Sequence, residues 1–185
     1  SRVFHNEGSD LVVPYMKQSQ DKTPIAGGLA LFDGGKFTGK TLNINESSLY
    51  NMLNGTKSKM QPELIERITS KEDRNINHYI SLNVVKSNRD MTMSVEDGKA
   101  KGKLKLKMEI QITESPSWNV TEYEEYLQNA LEKQITKDAN AILDKLQKAN
   151  CDGLSIGRHL MAFHNKDFKK LNWKENDYKK ADVQV

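Results

Sequence analysis

Lys103-Leu104-Lys105-Leu106-Lys107-Met108-Glu109-Ile110-Gln111-Ile112 alternates without a break between polar and apolar residues. A strict period of two is what a pleated strand requires when one face is buried and the other is wet. Upstream, Met91, Met93 and Val95 repeat the alternation and join this strand through Asp97-Gly98, a dipeptide suited to a tight hairpin because both positions tolerate positive φ. Before them Ile80, Leu82 and Val84 alternate as well, and the polar stretch from Lys86 to Asp90 reads as a further connection. The three runs predict an antiparallel meander with one solvated face.

Such a face needs an apolar partner, and the sequence supplies one downstream. From about Thr121, apolar residues recur at Tyr123, Leu127, Leu131, Ile135, Ala139, Ile142 and Leu146, the spacing of one helix face. Thr121 and Glu124 fit a capping box. Glu122, Glu124 and Glu125 stand at the start and Lys145 and Lys148 at the end, as the helix dipole favours. On the other side of the meander, Gly28-Leu29-Ala30-Leu31-Phe32, the turn signal Asp33-Gly34-Gly35 and the loose alternation from Lys36 to Asn45 predict a hairpin. A short helix follows from Glu46 to Leu53, stopping near Asn54-Gly55. Residues 54–76 stay open: Leu64-Ile65 and Ile68 suit a strand or a helical turn, and Asp73-Arg74-Asn75 a loop. The tail reads as a turn at Cys151-Asp152-Gly153, a short helix through Leu160 and Phe163, and a final strand near Ala181–Val185. The expected class is α+β, with a mainly antiparallel or mixed sheet packed on one face against the long helix and shorter helices closing the ends. Residues 1–23, weakly patterned apart from Leu11-Val12-Val13-Pro14-Tyr15, read as a leader or linker, and 24–185 as the domain.

Composition narrows the function. Lys and Arg number 28 against 25 Asp and Glu, a formal net charge of +3, too balanced for a dedicated nucleic-acid binder. Cys151 is the single cysteine, so no intrachain disulfide forms. No run approaches the roughly 18 apolar residues that cross a bilayer, and the chain as it stands is expected to be soluble.

Three patterns invite a chemical reading. Gly34, Gly39, Lys40 and Thr41 satisfy the phosphate-cradling pattern G-x-x-x-x-G-K-[ST], which would make the chain a nucleotide-binding protein through Gly34–Thr41. That function needs a strand before the loop and a helix starting at Lys40-Thr41, whereas the residues favour a turn between two strands. Lys99, Lys101, Lys103, Lys105 and Lys107 share one parity, so the Lys99–Lys107 row could meet anionic headgroups or nucleic-acid phosphates; a solvated sheet face is the favoured reading, since no aromatic side chains are interleaved for base stacking. Cys151, His159 and His164 lack the spacing of a metal or nucleophile site. Phe168, Trp173 and Tyr178 in the lysine-rich tail are read as caps on the core.

Together these segments resemble the C-terminal domain of the Ger(x)C family, the lipoprotein C-subunit of bacterial spore germinant receptors. Gly28-Leu29-Ala30-Leu31-Phe32 with Lys36–Gly39 and the helix start at Glu46-Ser47 resembles its first motif. Its closing motif resembles Cys151-Asp152-Gly153-Leu154-Ser155-Ile156-Gly157, His159-Leu160, Phe168-Lys169-Lys170 and Asn172-Trp173, running into the alternating Ala181–Val185. The resemblance covers about 24–185, weakly at 54–76. It implies an exported protein, lipid-tethered at an N-terminal cysteine and working with integral-membrane subunits of the same receptor in the spore inner membrane, in receptor assembly and nutrient-triggered germination signalling. That cysteine is not in this sequence, and Cys151 lies inside the closing motif, so the chain is expected to be a C-terminal fragment of a longer protein. The resemblance implies no enzyme activity, no catalytic, cofactor-binding or metal-binding residue and no nucleic acid, and gives the motif residues an architectural part. It names neither the germinant nor the surface that meets the other subunits.

Overall fold

In the computed structural model the described residues are 8–55, 63–68, 78–114 and 124–185. β5 (His78–Glu96) and β6 (Lys99–Glu114) form the longest hairpin, paired antiparallel from Ser81–Glu114 to Glu96–Lys99. Its turn places Asp97 at φ 50° and Gly98 at φ 73°, the left-handed pair that matches the strand twist. As the alternation predicts, Leu104 is buried while Lys103, Lys105 and Lys107 are exposed on the opposite face.

β5 differs from the sequence reading. It is one strand of 19 residues, with no connection at Lys86–Asp90. The pairing steps from Val84–Ile110 to Lys86–Glu109, so Val85 is an extra, exposed residue in a β-bulge. One inserted residue exchanges the two faces: even-numbered Val84 points inward before it, odd-numbered Met91 and Met93 after it. The polar stretch thus belongs to the strand, and Arg89 lies on its core side.

β4 (Glu63–Ile68) lines up antiparallel beside β5, which resolves part of the open stretch as strand; Asp73-Arg74-Asn75 lie outside the described residues. β7 (Asp182–Gln184) adds parallel to β6, making the second sheet mixed, in the order β4-β5-β6-β7. The expected single sheet is in fact two. β1 (Val12–Gln18), β2 (Pro24–Asp33) and β3 (Lys36–Leu42) form the other, in chain order and antiparallel. Reading residues 1–23 as a leader misses β1, because Pro14 interrupts its short apolar run and the polar residues after Met16 hide the strand pattern, while its pairing with β2 from Val12–Leu31 to Gln18–Pro24 is complete apart from one bulge.

α1 (Ile44–Leu53) follows β3. Asn43 caps it: its side chain accepts from Glu46 N at 2.9 Å, and the Glu46 carboxylate accepts from Asn43 N at 2.9 Å. α2 (Glu124–Lys148) carries its buried face at Leu127, Leu131, Ile135, Ala139, Ile142 and Leu146, the positions that the spacing predicts; Thr121 and Tyr123 lie outside the described residues. Lys145 of α2 joins Glu46 of α1 at 2.5 Å. α3 (Ile156–Phe163), the short α4 (Asn165–Phe168) and a π-helical turn at Trp173–Asp177 close the end. One continuous apolar cluster joins both sheets and the helices, with Leu31, Leu42, Leu53, Leu146 and Leu160 fully buried.

Arg89 ties these layers together. Its guanidinium donates to Leu53 O at the end of α1 (3.0 Å) and to Leu154 O (3.3 Å), and its burial lowers its pKa. Arg89→Met fills similar space but leaves both carbonyls without this donor, so it should cost about 2–3 kcal/mol in urea unfolding; a loss below about 0.5 kcal/mol would show that water takes over the role.

Candidate functional site

The segment Cys151–Leu154 is irregular, yet every one of its residues is buried. It begins where α2 stops. Asn150, at φ 53°, donates to Gln147 O (3.0 Å) and Cys151 N to Leu146 O (3.0 Å), the paired bonds of a left-handed C-cap. Four consecutive carbonyls then find four donors from four parts of the chain. Cys151 O accepts from Tyr178 OH (2.8 Å), Asp152 O from Asp10 N (3.0 Å), Gly153 O from Tyr50 OH (2.8 Å) and Leu154 O from Arg89.

The Asp152 side chain is the centre of this junction. Fully buried, its carboxylate accepts from Ile156 N (2.8 Å), Gly157 N (2.7 Å) and Trp173 Nε1 (3.0 Å). Two of those donors are first-turn amides of α3, so Asp152, and not Ser155, caps that helix. Burial pushes its carboxyl up to about 6, against the three N–H groups that favour the ionised form. Gly157 is required here: a Cβ would lie 2.3 Å from Trp173 Nε1 and 2.8 Å from Gly8 Cα.

Beside it lies an ionic cluster. Lys174 Nζ meets Asp10 at 2.5 Å and Asp33 at 2.8 Å. Burial alone would lower the Lys174 pKa, but the hydrogen bonds and charges of the two carboxylates outweigh it and hold it raised. Burial likewise works to raise Asp33, and Lys174 and Asn150 overcome it and hold the carboxyl low. The second oxygen of Asp10 accepts from Gly34 N (3.1 Å), while Oδ2 also accepts from Asp152 N (2.7 Å), so one side chain joins the β2–β3 turn to the junction.

The chemically suggestive residues divide clearly. Gly34 and Gly35 form a hairpin turn at φ 54° and 92°, β3 occupies Lys36–Leu42, and the helix that follows begins only at Ile44. Gly39, at φ 75°, sits where β3 takes four residue steps against two in β2, between the pairs Phe32–Phe37 and Ala30–Thr41. The Gly34–Thr41 match to a phosphate loop is therefore corrected: a strand continues where the phosphate-facing helix would have to start. The Lys99–Lys107 row lies on the face expected, but acids are interleaved with it. Lys99 stands opposite Glu96 and Lys105 opposite Asp90, and Lys101 pairs with Glu96 at 2.9 Å. Cys151 is buried and its thiol pushed up to about 12; His159 packs on Phe163 with ring centroids 4.7 Å apart. Among the described residues no group of three or more His, Cys, Asp or Glu side chains is placed to hold a metal ion. Phe168, Trp173 and Tyr178 are buried in sequence of contact, with centroids 5.9 and 5.4 Å apart, which makes them core. Sequence reasoning missed Asp10, Arg89 and Lys174, whose only signal is charge beside apolar runs far away in the chain.

Among the described residues an open apolar surface remains. Between β6 and the first half of α2 runs a groove of about 1000 Å³, walled by Leu106, Met108 and Ile110 on one side and Leu127, Leu131 and Ile135 on the other.

The junction makes a pH prediction. Because the Asp152 carboxyl is raised from 3.8 to about 6 on folding, folding binds a proton in that window, and this group's contribution to stability falls as pH rises from about 4 to about 6 and is level above. Asp152→Asn does not titrate, so the stability of the parent relative to it should drop by up to about 3 kcal/mol over the window. Asp152→Ala, which strands three buried donors, should lose about 3 kcal/mol or more at pH 7. Urea titrations across pH read both, and a parent that gains on Asp152→Asn through the window would refute the assignment.

A family model described as spore germination B3/GerAC like, C-terminal, matches residues 27–185. The fold is similar to that of the crystal structure of the GerBC protein, with a TM-score of 0.77 and 20% identity, over 96% of this chain and 54% of that one. The chain therefore spans about half the length of that solved relative. Comparison with curated protein sequences finds no match. With Cys151–Leu154, Ile156, Gly157 and Trp173 of the closing motif buried and a family match that runs through it to Val185, this chain belongs to the spore germination B3/GerAC-like C-terminal family.

Proposed function

We propose that this domain is a non-catalytic part of a spore germinant receptor subunit, acting in receptor assembly and in nutrient-triggered germination signalling at the spore inner membrane. The family match over 27–185 carries the reading. The placement of the polar residues supports it: Asp152, Asp10, Lys174, Tyr50 and Tyr178 are spent on each other and on backbone groups, whereas a catalytic group has to keep an atom for substrate. The partners would be the integral-membrane subunits of the same receptor. A lipid anchor upstream of this chain would hold the domain at the membrane; among the described residues no helix is long and apolar enough to cross a membrane.

The test is recovery of the lipid-anchored subunit with its membrane partners in detergent, with and without residues 24–185. Stable recovery that disappears with the deletion is the expected outcome. Membrane subunits that ignore the anchored protein when the domain is intact would defeat the receptor reading.

A further inference from the structure

β6 is far longer than β7, its neighbour on one side. β5 accompanies one side of it throughout, while on the other side β7 pairs with Lys101, Gly102 and Lys103. Among the described residues nothing pairs with that second side from Leu104 to Glu114. A bare edge presents unpaired N–H and C=O groups, and sheets usually blunt it with a bulge, a proline, a short strand or charged side chains, above all lysine; Lys103, Lys105 and Lys107 supply the last of these on β6, and they turn away a strand that does not bring acids to meet them. β6 has no proline, and up to Ile112 the one bulge in its pairing inserts a residue into β5 and none into β6. The edge is straight and long.

Space lies on both faces of this edge where β7 stops. The apolar groove against α2 is on the inner face. On the outer face a second depression of about 710 Å³ is bounded by Asp90, Thr92, Lys103 and Lys105, and Val185 borders both. The inner groove is lined by apolar side chains with Glu124 and Glu132 of α2 at its far wall, and the outer depression by Lys101, Lys103 and Lys105 with Asp90.

β7 shows what such a slot accepts. Val183 turns into the core at 8% exposure, while Asp182 and Gln184 stay exposed beside Lys101 and Lys103. Carried along the edge, the same alternation sets apolar residues abreast of Leu106 and Met108 and acidic ones abreast of Lys105 and Lys107. Lys107 stands opposite Asn88 on β5 rather than opposite an acid, so a carboxylate on the open side would give it a directly facing counter-charge. We infer that the open edge of β6 is a docking slot for an extended segment of a partner protein that alternates apolar and acidic residues and adds as a strand in line with β7. The inference deepens the assembly reading and rests on it for the partner being a second protein.

The probes are two short synthetic peptides, one alternating valine with aspartate and one alternating valine with lysine, and the readout is amide hydrogen exchange in the whole chain. The acidic peptide should slow exchange over Lys105–Ile112, with an effect that fades as salt is added. Lys105→Glu/Lys107→Glu, exposed changes that leave the core intact, should reverse the preference between the peptides by about tenfold. The proposal would be overturned by exchange at the edge indifferent to both peptides, by a preference that the double variant leaves unchanged, or by a chain that dimerises through this edge unaided. Protection of the same amides in the anchored subunit alone would overturn it too, because another part of the same polypeptide would then fill the slot. If the peptide binds and the membrane subunits still fail to co-purify, the receptor reading falls and the slot stands; if co-purification succeeds and the peptides do not bind, the reverse holds.

Discussion

A stretch of backbone with no regular structure and no access to water must find all its hydrogen bonds elsewhere in the protein. Cys151–Leu154 is such a stretch, and the rest of the architecture is arranged around that demand. Helices and strands satisfy themselves; this segment draws on Tyr178 from the end of the chain, Asp10 from ahead of β1, Tyr50 from α1 and Arg89 from β5. Each buried carbonyl left unmatched would cost about 1–3 kcal/mol, comparable to a large part of the net stability of a domain. The second sheet, α1, the segment ahead of β1 and the end of the chain are fixed relative to one another because each has a donor to deliver to the same few residues.

Electrostatics reinforce the same point. Asp152 carries charge where there is no solvent, which is tolerable because three N–H groups converge on it. Lys174 performs the complementary task for Asp10 and Asp33, neither of which belongs to its own element. Buried ion pairs add little net stability over apolar packing; their effect here is positional, since α3, Trp173 and the β2–β3 turn are each held at one place by a directional bond.

The elements with clean local patterns were legible. Alternation in Lys103–Ile112, the Asp97-Gly98 turn and the helical spacing from Leu127 to Leu146 each correspond to one element, since burial on one side imposes one period. Legibility failed where a period is broken by a single residue. Val85 exchanges the faces of β5, so a continuous strand looks like two strands and a linker, and Arg89, on the inner face, looks like part of a solvated connection. β1 was hidden for a different reason: it is short, half-exposed and interrupted by Pro14. The closing motif could be read as architectural from its glycines and tryptophan, but its partners could not, because Asp10 is 142 positions from Asp152 and Tyr50 is 103 from Gly153. Nothing local announces a contact at that distance. The groove and the bare edge of β6 were likewise invisible, being defined by how briefly β7 pairs.

The junction also sets the order in which the molecule can be made. Cys151–Leu154 cannot complete its bonds until Tyr178 exists, and by then the residues bearing its other partners have long left the ribosome. A bond such as that from Asp152 to Asp10, 142 positions away, slows folding because so long a loop must close before its closure is rewarded. Assembly of the core thereby waits for Tyr178, and a chain cut short before Trp173 and Tyr178 would lack the knot that fastens its sheets.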